Sequence, residues 1–568
     1  MRILFLTHAF NSLTQRLFVE LQEQGHEISV EFDINDAVAL EAVTLYQPEL
    51  IIAPFLKRAI PDGIWRNTTC FVVHPGIRGD RGPSALDWAI LQGLEKWGVT
   101  VLQANAEMDA GAIWSSVEFK MRETNKGSLY RNEVTEAAVK AVMQAVDRFT
   151  DKVFHSETLN PDDPSIKGAW QPLMRQCDRV IDWQQDNSGE VLRNIRCADG
   201  FPGVKDEIFG RELFLYDARP EPTLQGEPGE VIARCGPAIC RATQDGAVWI
   251  GHLKDKSSEH PFKLPATQLV ADNIAGLPEI EADERSGYRE VWYEQQNGIG
   301  YLHFPFYNGA MSTRQCMALL KAYKQATQKD TRAIVLFGGP DYWSNGMHLN
   351  LIEAAESAAD ESWRNINAID DLALEIINTD SHLTIAALQG NAGAGGVFLA
   401  RAADEVWVRQ GIILNPHYKD MGNLYGSEYW TYLLARYVGE EHAAVIIENR
   451  LPLSTRQAAE LQLADREIKQ RGDAFVSQVR LLAEAVVRTP AFSERLHYKN
   501  VRRQADEQTK PLSLYREEEL EQMKRNFYGF DPSYHVARYN FVHKVPKSRT
   551  PLTIASHRRM TSKWKRVS

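Results

Sequence analysis

The sequence predicts a multidomain α/β protein: a parallel sheet with helices on both faces, then a small β domain, then a second α/β domain with a helical C-terminal region. Three observations favour this order. Short apolar runs alternate with helical patterns over residues 1–150, short strands with glycine turns occupy 229–253, and long helical patterns extend over about 428–490. Strand–helix alternation implies a parallel sheet, whereas clustered short strands imply a β barrel or sandwich.

The composition narrows the class of protein. The chain has 568 residues and a net charge of −11, so we expect two or three domains and no general nucleic-acid binding. It shows no signal peptide and no apolar run of about 18 residues, so we expect a cytoplasmic protein with no membrane partner. The six cysteines form no C-x-x-C pair and no zinc-type cluster, which predicts reduced thiols and no metal site.

Four apolar runs in the first domain predict buried parallel strands, namely 3–7, 27–32, 49–55 and 70–74. Ser12 and Gln15 have the spacing of a capping box that starts a helix, and Gly25 is placed to end it. Ligands of such sheets bind beyond the C-terminal ends of the strands. The segment VVHPG, residues 72–76, lies at such an end.

Two polar stretches predict domain boundaries. A proline-containing stretch spans about 154–172, and LPEIEADERSG spans 277–287. We therefore expect three domains, at 1–165, 166–280 and 281–568. The third domain is predicted to contain further strands at 298–304, 332–339 and 383–388.

The C-terminal tail is strongly basic. From His543 its 26 residues carry eight Lys or Arg and no acid. This charge predicts either a solvated tail or a contact for phosphates, a nucleotide or a protein partner.

The N-terminal motifs resemble the folate-dependent formyltransferases. VVHPGIRGDRGPSALDWAI (72–90) precedes GVTVLQANAEMDAGAI (98–113), and RVIDWQQDNSGEVLRNIRCADGFPGV (179–204) follows. The resemblance covers roughly 1–275. It implies a Rossmann-like domain that binds 10-formyltetrahydrofolate, followed by a small OB-like β domain.

The same resemblance suggests residue roles. It implies His74 and Asp109 as catalytic groups, because formyl transfer needs proton shuttling and stabilisation of an oxyanion. It implies a folate pocket that includes Gly82 and Pro83. Gln15 and Arg131 are further candidates for this pocket, and a polar role at the surface is the alternative for both.

One position departs from the formyltransferase pattern. The family's asparagine, two residues before the histidine, is Val72 here, and valine cannot donate a hydrogen bond. Either another group donates, or transfer is slow or altered.

The motifs of the third domain resemble the enoyl-CoA hydratase/isomerase (crotonase) class over about 290–475. They are YWSNGMHLNLIE (342–353) and ALQGNAGAGGVFLARAADEV (387–406). The resemblance implies a crotonase-like ββα spiral domain that binds a coenzyme A thioester. Its carbonyl would be polarised by the backbone N–H groups of Met347 and Gly395, while Gly346 and Gly396 permit close approach.

The acid–base groups of this class are altered. Phe398 and His417 stand where hydratases place glutamates, so the usual pair of carboxylates is missing. Tyr418 and Glu428 of the same region could together pass a proton to sulfur and remove one from carbon. The alternative is that these side chains only pack and cap a helix start; His417 is the reserve candidate.

The combination of domains resembles the HypX (HoxX) family of nickel–iron hydrogenase maturation proteins. That implies formyl transfer from 10-formyltetrahydrofolate to coenzyme A, then cleavage of formyl-CoA into carbon monoxide and coenzyme A. Small-molecule substrates are expected, and the candidate protein partners are hydrogenase maturation proteins or the hydrogenase large subunit. Two alternatives stay open: an enzyme with another formyl acceptor or simple thioester hydrolysis, and a non-catalytic CoA-binding hydrogenase chaperone.

Overall fold

The computed structural model describes residues 1–160, 164, 166–284 and 286–560. The chain divides into two compact units. The first contains Met1–Ser258, Lys263–Tyr288 and the C-terminal segment from Pro546, and the second contains Glu259–Phe262 and Arg289–Val545. Residues 161–163 and 165 of the polar stretch at 154–172, residue 285 of the second stretch and the last eight residues of the basic tail lie outside the described residues.

The N-terminal part of the first unit is built on a six-stranded sheet. Its strands are β1 (Arg2–Thr7), β2 (Glu27–Phe32), β3 (Leu50–Ala53), β4 (Cys70–His74), β5 (Lys96–Gln103) and β6 (Ile113–Lys120). Its helices are α1 (Ser12–Glu23), α2 (Asp36–Tyr46), α3 (Asp62–Trp65), α4 (Ala85–Leu91), α5 (Lys126–Leu129) and α6 (Thr135–Thr150), with a π-helical turn at Tyr130–Val134. The order is β2-β1-β3-β4-β5-β6.

The predicted strands of this sheet are confirmed. β1 to β4 are parallel, and β5 and β6 are antiparallel. The predicted capping box is wrong by one residue: Asn11 caps α1, and its side chain accepts the N–H of Thr14. Gly25 follows the helix with φ +84°, as expected for a glycine that ends a helix.

A second sheet completes this unit's main body. Its strands are β7 (Val204–Ile208), β8 (Arg211–Glu221), β9 (Val231–Cys235), β10 (Ala238–Ala242), β11 (Ala247–Lys254) and β12 (Leu264–Pro265). Its helices are α7 (Ser188–Ala198), α8 (Ala266–Leu269) and α9 (Ala271–Ile274), with a 3₁₀ turn at Gln176–Arg179. The antiparallel order is β7-β8-β11-β10-β9, and β12 pairs with β11. Strands β9 to β11 confirm the prediction from 229–253.

The second unit contains two sheets. Its strands are β13 (Trp292–Gln296), β14 (Ile299–His303), β15 (Ala333–Phe337), β16 (Tyr342–Ser344), β17 (Leu383–Leu388), β18 (Asn391–Gly393), β19 (Glu405–Arg409), β20 (Leu414–Asn415) and β21 (Arg466–Ile468). The larger sheet has the order β13-β14-β15-β17-β19-β21, and the smaller one is β16-β18-β20. Apart from the β13–β14 pair, the strands are parallel.

Helices cover the sheets of this unit. They are α10 (Thr313–Ala326), α11 (Leu349–Glu353), α12 (Ala358–Ile377), α13 (Gly395–Arg401), α14 (Trp430–Val438), α15 (Glu440–Asn449), α16 (Thr455–Glu460), α17 (Asp473–Arg488), α18 (Phe492–Thr509), α19 (Leu512–Tyr528) and α20 (Ser533–Val542), with a 3₁₀ turn at Tyr307–Gly309. Short β21 interrupts the continuous helical pattern expected from 428 to 490, and it pairs with β19.

The C-terminal segment corrects the expectation of a tail attached to the third domain. It belongs to the first unit, where it ends in α21 (Ser556–Met560) and covers the edge strand β2. The N–H of Val30 donates to the carbonyl of Ile554 at 2.9 Å. Arg558 pairs with Glu31 at 2.7 Å and with Glu41 at 3.0 Å. Arg558 of the basic tail therefore forms ion pairs with carboxylates of the protein itself, rather than with the phosphates of a ligand.

Two general findings bear on composition. All six cysteines are free thiols, and only Cys177 is exposed. In the described ranges, no helix combines the length and the hydropathy needed to cross a membrane.

Candidate active sites

The first site forms where β4 ends. His74 is the last residue of this strand and is buried. Its Nε2 lies 2.8 Å from Asp80 Oδ2, and its Nδ1 lies 3.6 Å from Asp109 Oδ2. The structure therefore brings the two predicted catalytic residues together and adds a second carboxylate. An imidazole with a carboxylate at each nitrogen is oriented on both sides and is suited to accept a proton.

Asp80 was missed by the sequence interpretation. It lies in the RGDRG stretch between the motif's histidine and its proline, and an acid inside a glycine-rich loop was the available signal. Burial raises the pKa of Asp80, and the hydrogen bond with His74 acts against that rise. Gly76 makes the pair possible, because a Cβ there would lie 2.4 Å from both Asp80 Oδ2 and His74 Nε2.

The predicted folate loop lies directly beside Asp109. The N–H of Gly82 donates to Asp109 Oδ2 at 3.3 Å. Gly82 has φ +113°, and a Cβ there would lie 2.1 Å from the carbonyl of Gln171, so only glycine fits. Pro83 follows it and leads towards α4. A small cavity beside the two carboxylates is lined by Ile77, Asp80, Thr100, Asp109, Gly111 and Leu159.

The two remaining pocket candidates lie on other elements. Gln15 is on α1, and its side-chain amide donates to the carbonyl of Phe10 at 3.0 Å. Arg131 is in the π-helical turn that precedes α6, and α1 and α6 pack against each other. Their part in folate binding stays a prediction.

Val72 occupies an apolar environment. It pairs with Ala53 and Leu102 in the sheet and packs against a core cluster that includes Leu4 and Ile51. The position of the family asparagine is therefore occupied by an apolar side chain that packs in the core, and the question of an oxyanion donor stays as the sequence left it.

The second site forms where β16 and β18 end. A Cβ built on Gly346 would lie 3.6 Å from the nitrogen of Gly395, so the two predicted donor loops lie side by side. Among the described residues, neither the N–H of Met347 nor that of Gly395 has a protein acceptor. Gly396 packs on the carbonyl of Ser344, where a Cβ would approach to 2.2 Å. Two such neighbouring backbone donors without protein acceptors are what polarisation of a thioester carbonyl requires.

Tyr418 and Glu428 meet over one of these donors. The hydroxyl of Tyr418 donates to Glu428 Oε2 at 2.6 Å, and the ring of Tyr418 stacks on Phe398 at 5.5 Å. A Cβ on Gly395 would lie 1.9 Å from Glu428 Oε1. Phe398, which stands where hydratases have a glutamate, thus packs against the ring of Tyr418. The carboxyl group of Glu428 covers the predicted thioester site at Gly395.

Both groups have shifted proton affinities. Burial, followed by the negative charge of Asp370, raises the pKa of Glu428 to about 8. Burial and the neighbouring Glu428 raise the pKa of Tyr418 well above its ordinary value. A carboxyl group with a pKa near working pH can exchange a proton in either direction.

His417 is buried but separate from that hydrogen bond. Neither of its ring nitrogens has a hydrogen-bond partner in the described part of the chain, and burial lowers its pKa. It is therefore held as a neutral imidazole, and its role as a reserve acid or base stays a prediction.

Comparisons with known proteins agree with this division. The family models Formyl transferase, Formyl transferase C-terminal domain and Enoyl-CoA hydratase/isomerase match residues 3–146, 173–261 and 294–539. Methionyl-tRNA formyltransferase of Bacillus licheniformis is 27% identical over 214 residues, which are 37% of this chain and 64% of that protein.

Two relatives match over the whole chain. Hydrogenase maturation factor HoxX of Bradyrhizobium diazoefficiens is 56% identical over 558 residues, which are 98% of this chain and 97% of that protein. A crystal structure of HypX from Aquifex aeolicus in complex with tetrahydrofolic acid is 47% identical, with a TM-score of 0.95 and coverage of 99% of both chains. The chain is thus a member of the HypX/HoxX family of hydrogenase maturation factors, which joins a formyltransferase to an enoyl-CoA hydratase/isomerase-like domain.

Proposed function

We propose that the protein makes carbon monoxide in two steps. In the first, the formyl group leaves the nitrogen of 10-formyltetrahydrofolate and joins the sulfur of coenzyme A, while the thiol proton is passed to that nitrogen. In the second, the carbon–sulfur bond of formyl-CoA breaks, the formyl hydrogen leaves as a proton, and the sulfur gains a proton. Neither step needs an oxidant or a reductant.

The first step is supported by the environment of His74. Its imidazole can take the thiol proton as the carbon–sulfur bond forms, and Asp80 and Asp109 stabilise the resulting cation. Folate as the donor is supported by the related HypX, whose crystal structure is described as a complex with tetrahydrofolic acid. Val72 makes the oxyanion donor differ from that of other formyltransferases.

The second step rests on one observation: the hydrogen bond between Tyr418 and Glu428 lies next to Gly395. This pair takes the place of the two carboxylates that hydratases use for proton transfer. A formyl thioester has no α-carbon, so its chemistry is confined to the carbonyl and the sulfur. The N–H groups of Met347 and Gly395 polarise the carbonyl. Glu428 accepts the formyl proton, and Tyr418 relays a proton to the departing sulfur.

The product has a use that fits the relatives. Carbon monoxide is an iron ligand, and the relative from Bradyrhizobium diazoefficiens is named a hydrogenase maturation factor. We infer that the protein supplies this ligand to a nickel–iron hydrogenase. Hydrogenase maturation proteins and the hydrogenase large subunit are the candidate recipients.

The test is a headspace assay with the full-length protein. Carbon monoxide should appear only when 10-formyltetrahydrofolate and coenzyme A are both present, and tetrahydrofolate should appear in equal amount. Formate in place of carbon monoxide would identify a thioester hydrolase instead. Stable binding of coenzyme A without any turnover would identify a non-catalytic carrier.

The thioester site has its own test. Gly395→Val should stop release of carbon monoxide from supplied formyl-CoA, because the new side chain occupies the space of Glu428. Gly276→Val is the control, since a Cβ at Gly276 meets nothing within 4 Å. Unchanged release by Gly395→Val would move the site elsewhere.

A further inference from the structure

A buried cluster of three carboxylates surrounds the turn that carries Glu428. The other two members are Asp370 on α12 and Glu519 on α19. All three side chains are at most 1% exposed. Ser427 joins them, because its hydroxyl lies 2.7 Å from Asp370 Oδ2 and 3.3 Å from Glu519 Oε2. Buried acids at such distances are rare unless they share protons or serve a site.

The two outer carboxylates hold the backbone of the turn. Asp370 Oδ1 accepts the N–H of Glu428 at 2.8 Å. Glu519 accepts the N–H of Tyr429 at 3.0 Å and that of Thr431 at 2.8 Å. Three backbone donors at the start of α14 are thereby satisfied by two acids from distant helices.

This restraint holds an unfavourable conformation. Glu428 and Tyr429 both have φ +59°, a left-handed backbone that residues other than glycine adopt at a cost. Two such residues in succession persist only where the surroundings fix them. The conformation directs the Glu428 side chain at Gly395, so the strain and the site belong to the same turn.

The cluster also has an excess of negative groups. The titratable groups that face Glu428 are Asp370 from α12, Tyr418 from the preceding loop, Glu519 from α19 and Cys316 from α10. Arg516 and Asp371 in turn act on Asp370. Arg516 lies 3.8 Å from Asp370 but pairs more closely, at 2.7 Å, with Asp371. One partly shared cation does not neutralise three buried carboxylates, so the cluster must retain protons.

We propose that Asp370 and Glu519 are positioning residues for the thioester step: they fix the strained turn that presents Glu428 to the substrate, and the charge of Asp370 sets how readily Glu428 takes up a proton. This inference rests on the proposed function. Burial raises the pKa of Glu519 to about 8 and that of Asp370 to about 6, and the charge of Asp370 contributes to the rise at Glu519. Asp370 is therefore the member that is ionised at neutral pH and acts on the other two.

The direction of the effect follows from the role of Glu428. As a base it works only when ionised, so release of carbon monoxide should rise with pH through the pKa of Glu428. Asp370→Asn keeps the shape and an acceptor oxygen but removes the charge. In a plot of rate against pH, the rise in carbon monoxide release (the rising limb) should occur about one pH unit lower in this variant than in the wild type. At pH 7 the variant should therefore reach a several-fold larger fraction of its own maximal rate.

Asp371→Asn is the matched control. Asp371 is the next residue on α12, but its side chain is 52% exposed, so solvent screens its charge. This variant should leave the rising limb in place. Glu519→Gln is a second test variant and should shift the limb in the same direction by less, because Glu519 is itself largely protonated at neutral pH.

The experiment pairs rate profiles with infrared titration of the full-length protein without substrate. The protonated-carboxyl band of Glu428 is assigned by its loss in Glu428→Gln, and its titration midpoint should fall in Asp370→Asn but not in Asp371→Asn. Equal midpoints in wild type and in folded Asp370→Asn and Glu519→Gln would overturn the inference. Shifted midpoints without carbon monoxide from any variant would instead overturn the proposed function.

Discussion

Two buried carboxyl groups of this protein show how neighbours decide charge. Asp217 on β8 and Glu428 before α14 are 6% and 1% exposed, and each accepts a hydrogen bond from a tyrosine, Tyr288 and Tyr418 respectively. Burial acts to raise the pKa of both. Yet the pKa of Asp217 is lowered to about 2, while that of Glu428 is raised to about 8.

The difference lies in the remaining partners. Asp217 faces Arg219 at 3.6 Å and His252 at 3.1 Å. These neighbours stabilise the ionised carboxylate of Asp217. Glu428 faces Asp370, whose negative charge favours the neutral acid. The first arrangement locks a carboxylate into a structural role. The second leaves a carboxyl group poised to exchange a proton, as a catalytic site requires.

The largest effect should follow from removing the proton pathway at Glu428. Tyr418→Phe keeps the stack on Phe398 but removes the hydroxyl. We expect release of carbon monoxide from supplied formyl-CoA to fall by about 10²–10⁴-fold, with coenzyme A affinity preserved in calorimetry. Glu428→Gln should behave alike.

Tyr425→Phe is the control for that measurement. Tyr425 belongs to the same loop, and its ring packs on Trp430 at 5.5 Å, away from the Tyr418–Glu428 hydrogen bond. It should retain the wild-type rate. Wild-type rates in both Tyr418→Phe and Glu428→Gln would exclude this pair, and His417 would become the next residue to test.

A similar effect is expected at the imidazole site of the first unit. His74→Ala or Asp109→Ala should lower release of tetrahydrofolate by about 10²–10⁴-fold, because the proton acceptor or its charged partner is lost. Release of carbon monoxide from supplied formyl-CoA should be unaffected. If both variants turn over tetrahydrofolate normally, the formyl-transfer step does not use this site.

Asp217 should show the opposite behaviour, with a loss of stability and no loss of chemistry. Asp217→Asn tolerates the φ of +59° at this position but removes the negative charge that faces Arg219 and His252. We expect the first unit to lose about 3 kcal/mol in its free energy of unfolding at pH 7. Denaturant unfolding measures this, and a loss of activity in the folded variant would contradict the structural role.

The pH dependence at Asp217 has a definite sign. A carboxyl group whose folded pKa lies below its unfolded value stabilises the fold above the unfolded pKa. That contribution is lost as pH falls from about 4 towards 2. The wild type and Asp217→Asn should therefore converge in stability at strongly acidic pH.

Several strands and the Tyr418–Glu428 pair could be predicted from local sequence, but the residues that contact them from distant parts of the chain could not. The runs at 3–7 and 70–74 coincide with β1 and β4 because continuous apolar stretches bounded by turns are typical of buried parallel strands. Tyr418 and Glu428 were identified as a pair because one short segment contains both. The C-terminal segment on β2 joins residues more than 500 positions apart, which no local pattern reports.

The sequence analysis did not identify Asp370 and Glu519, because their contacts with the turn at Glu428 are also long-range. Each nevertheless occupies a helix position that could have indicated its burial. Asp370 lies on the apolar face of α12 together with Ile366 and Ala373, and Glu519 lies on the face of α19 that contains Met523. An acid at a core position of an amphipathic helix indicates a buried partner or a site. Which partner it meets depends on helix packing, here across 58 and 90 positions of the chain.

The smallest expected effect is a gain in stability at the catalytic acid itself. A carboxyl group whose folded pKa lies above its unfolded value favours the fold at low pH, and that contribution is lost as pH rises from about 4.5 through about 8. At pH 8 the wild type must therefore hold a partly ionised Glu428 beside Asp370. Glu428→Gln removes this charge, while its amide can still meet Tyr418 and accept the N–H of Ser427. We expect the variant to be inactive yet more stable than the wild type at pH 8, with the gain shrinking as pH falls and vanishing near pH 4.5. Thermal unfolding across that pH range measures the difference. A variant that is less stable at pH 8 would mean that Glu428 is held as a satisfied anion like Asp217, and the contrast between the two carboxyl groups would fail.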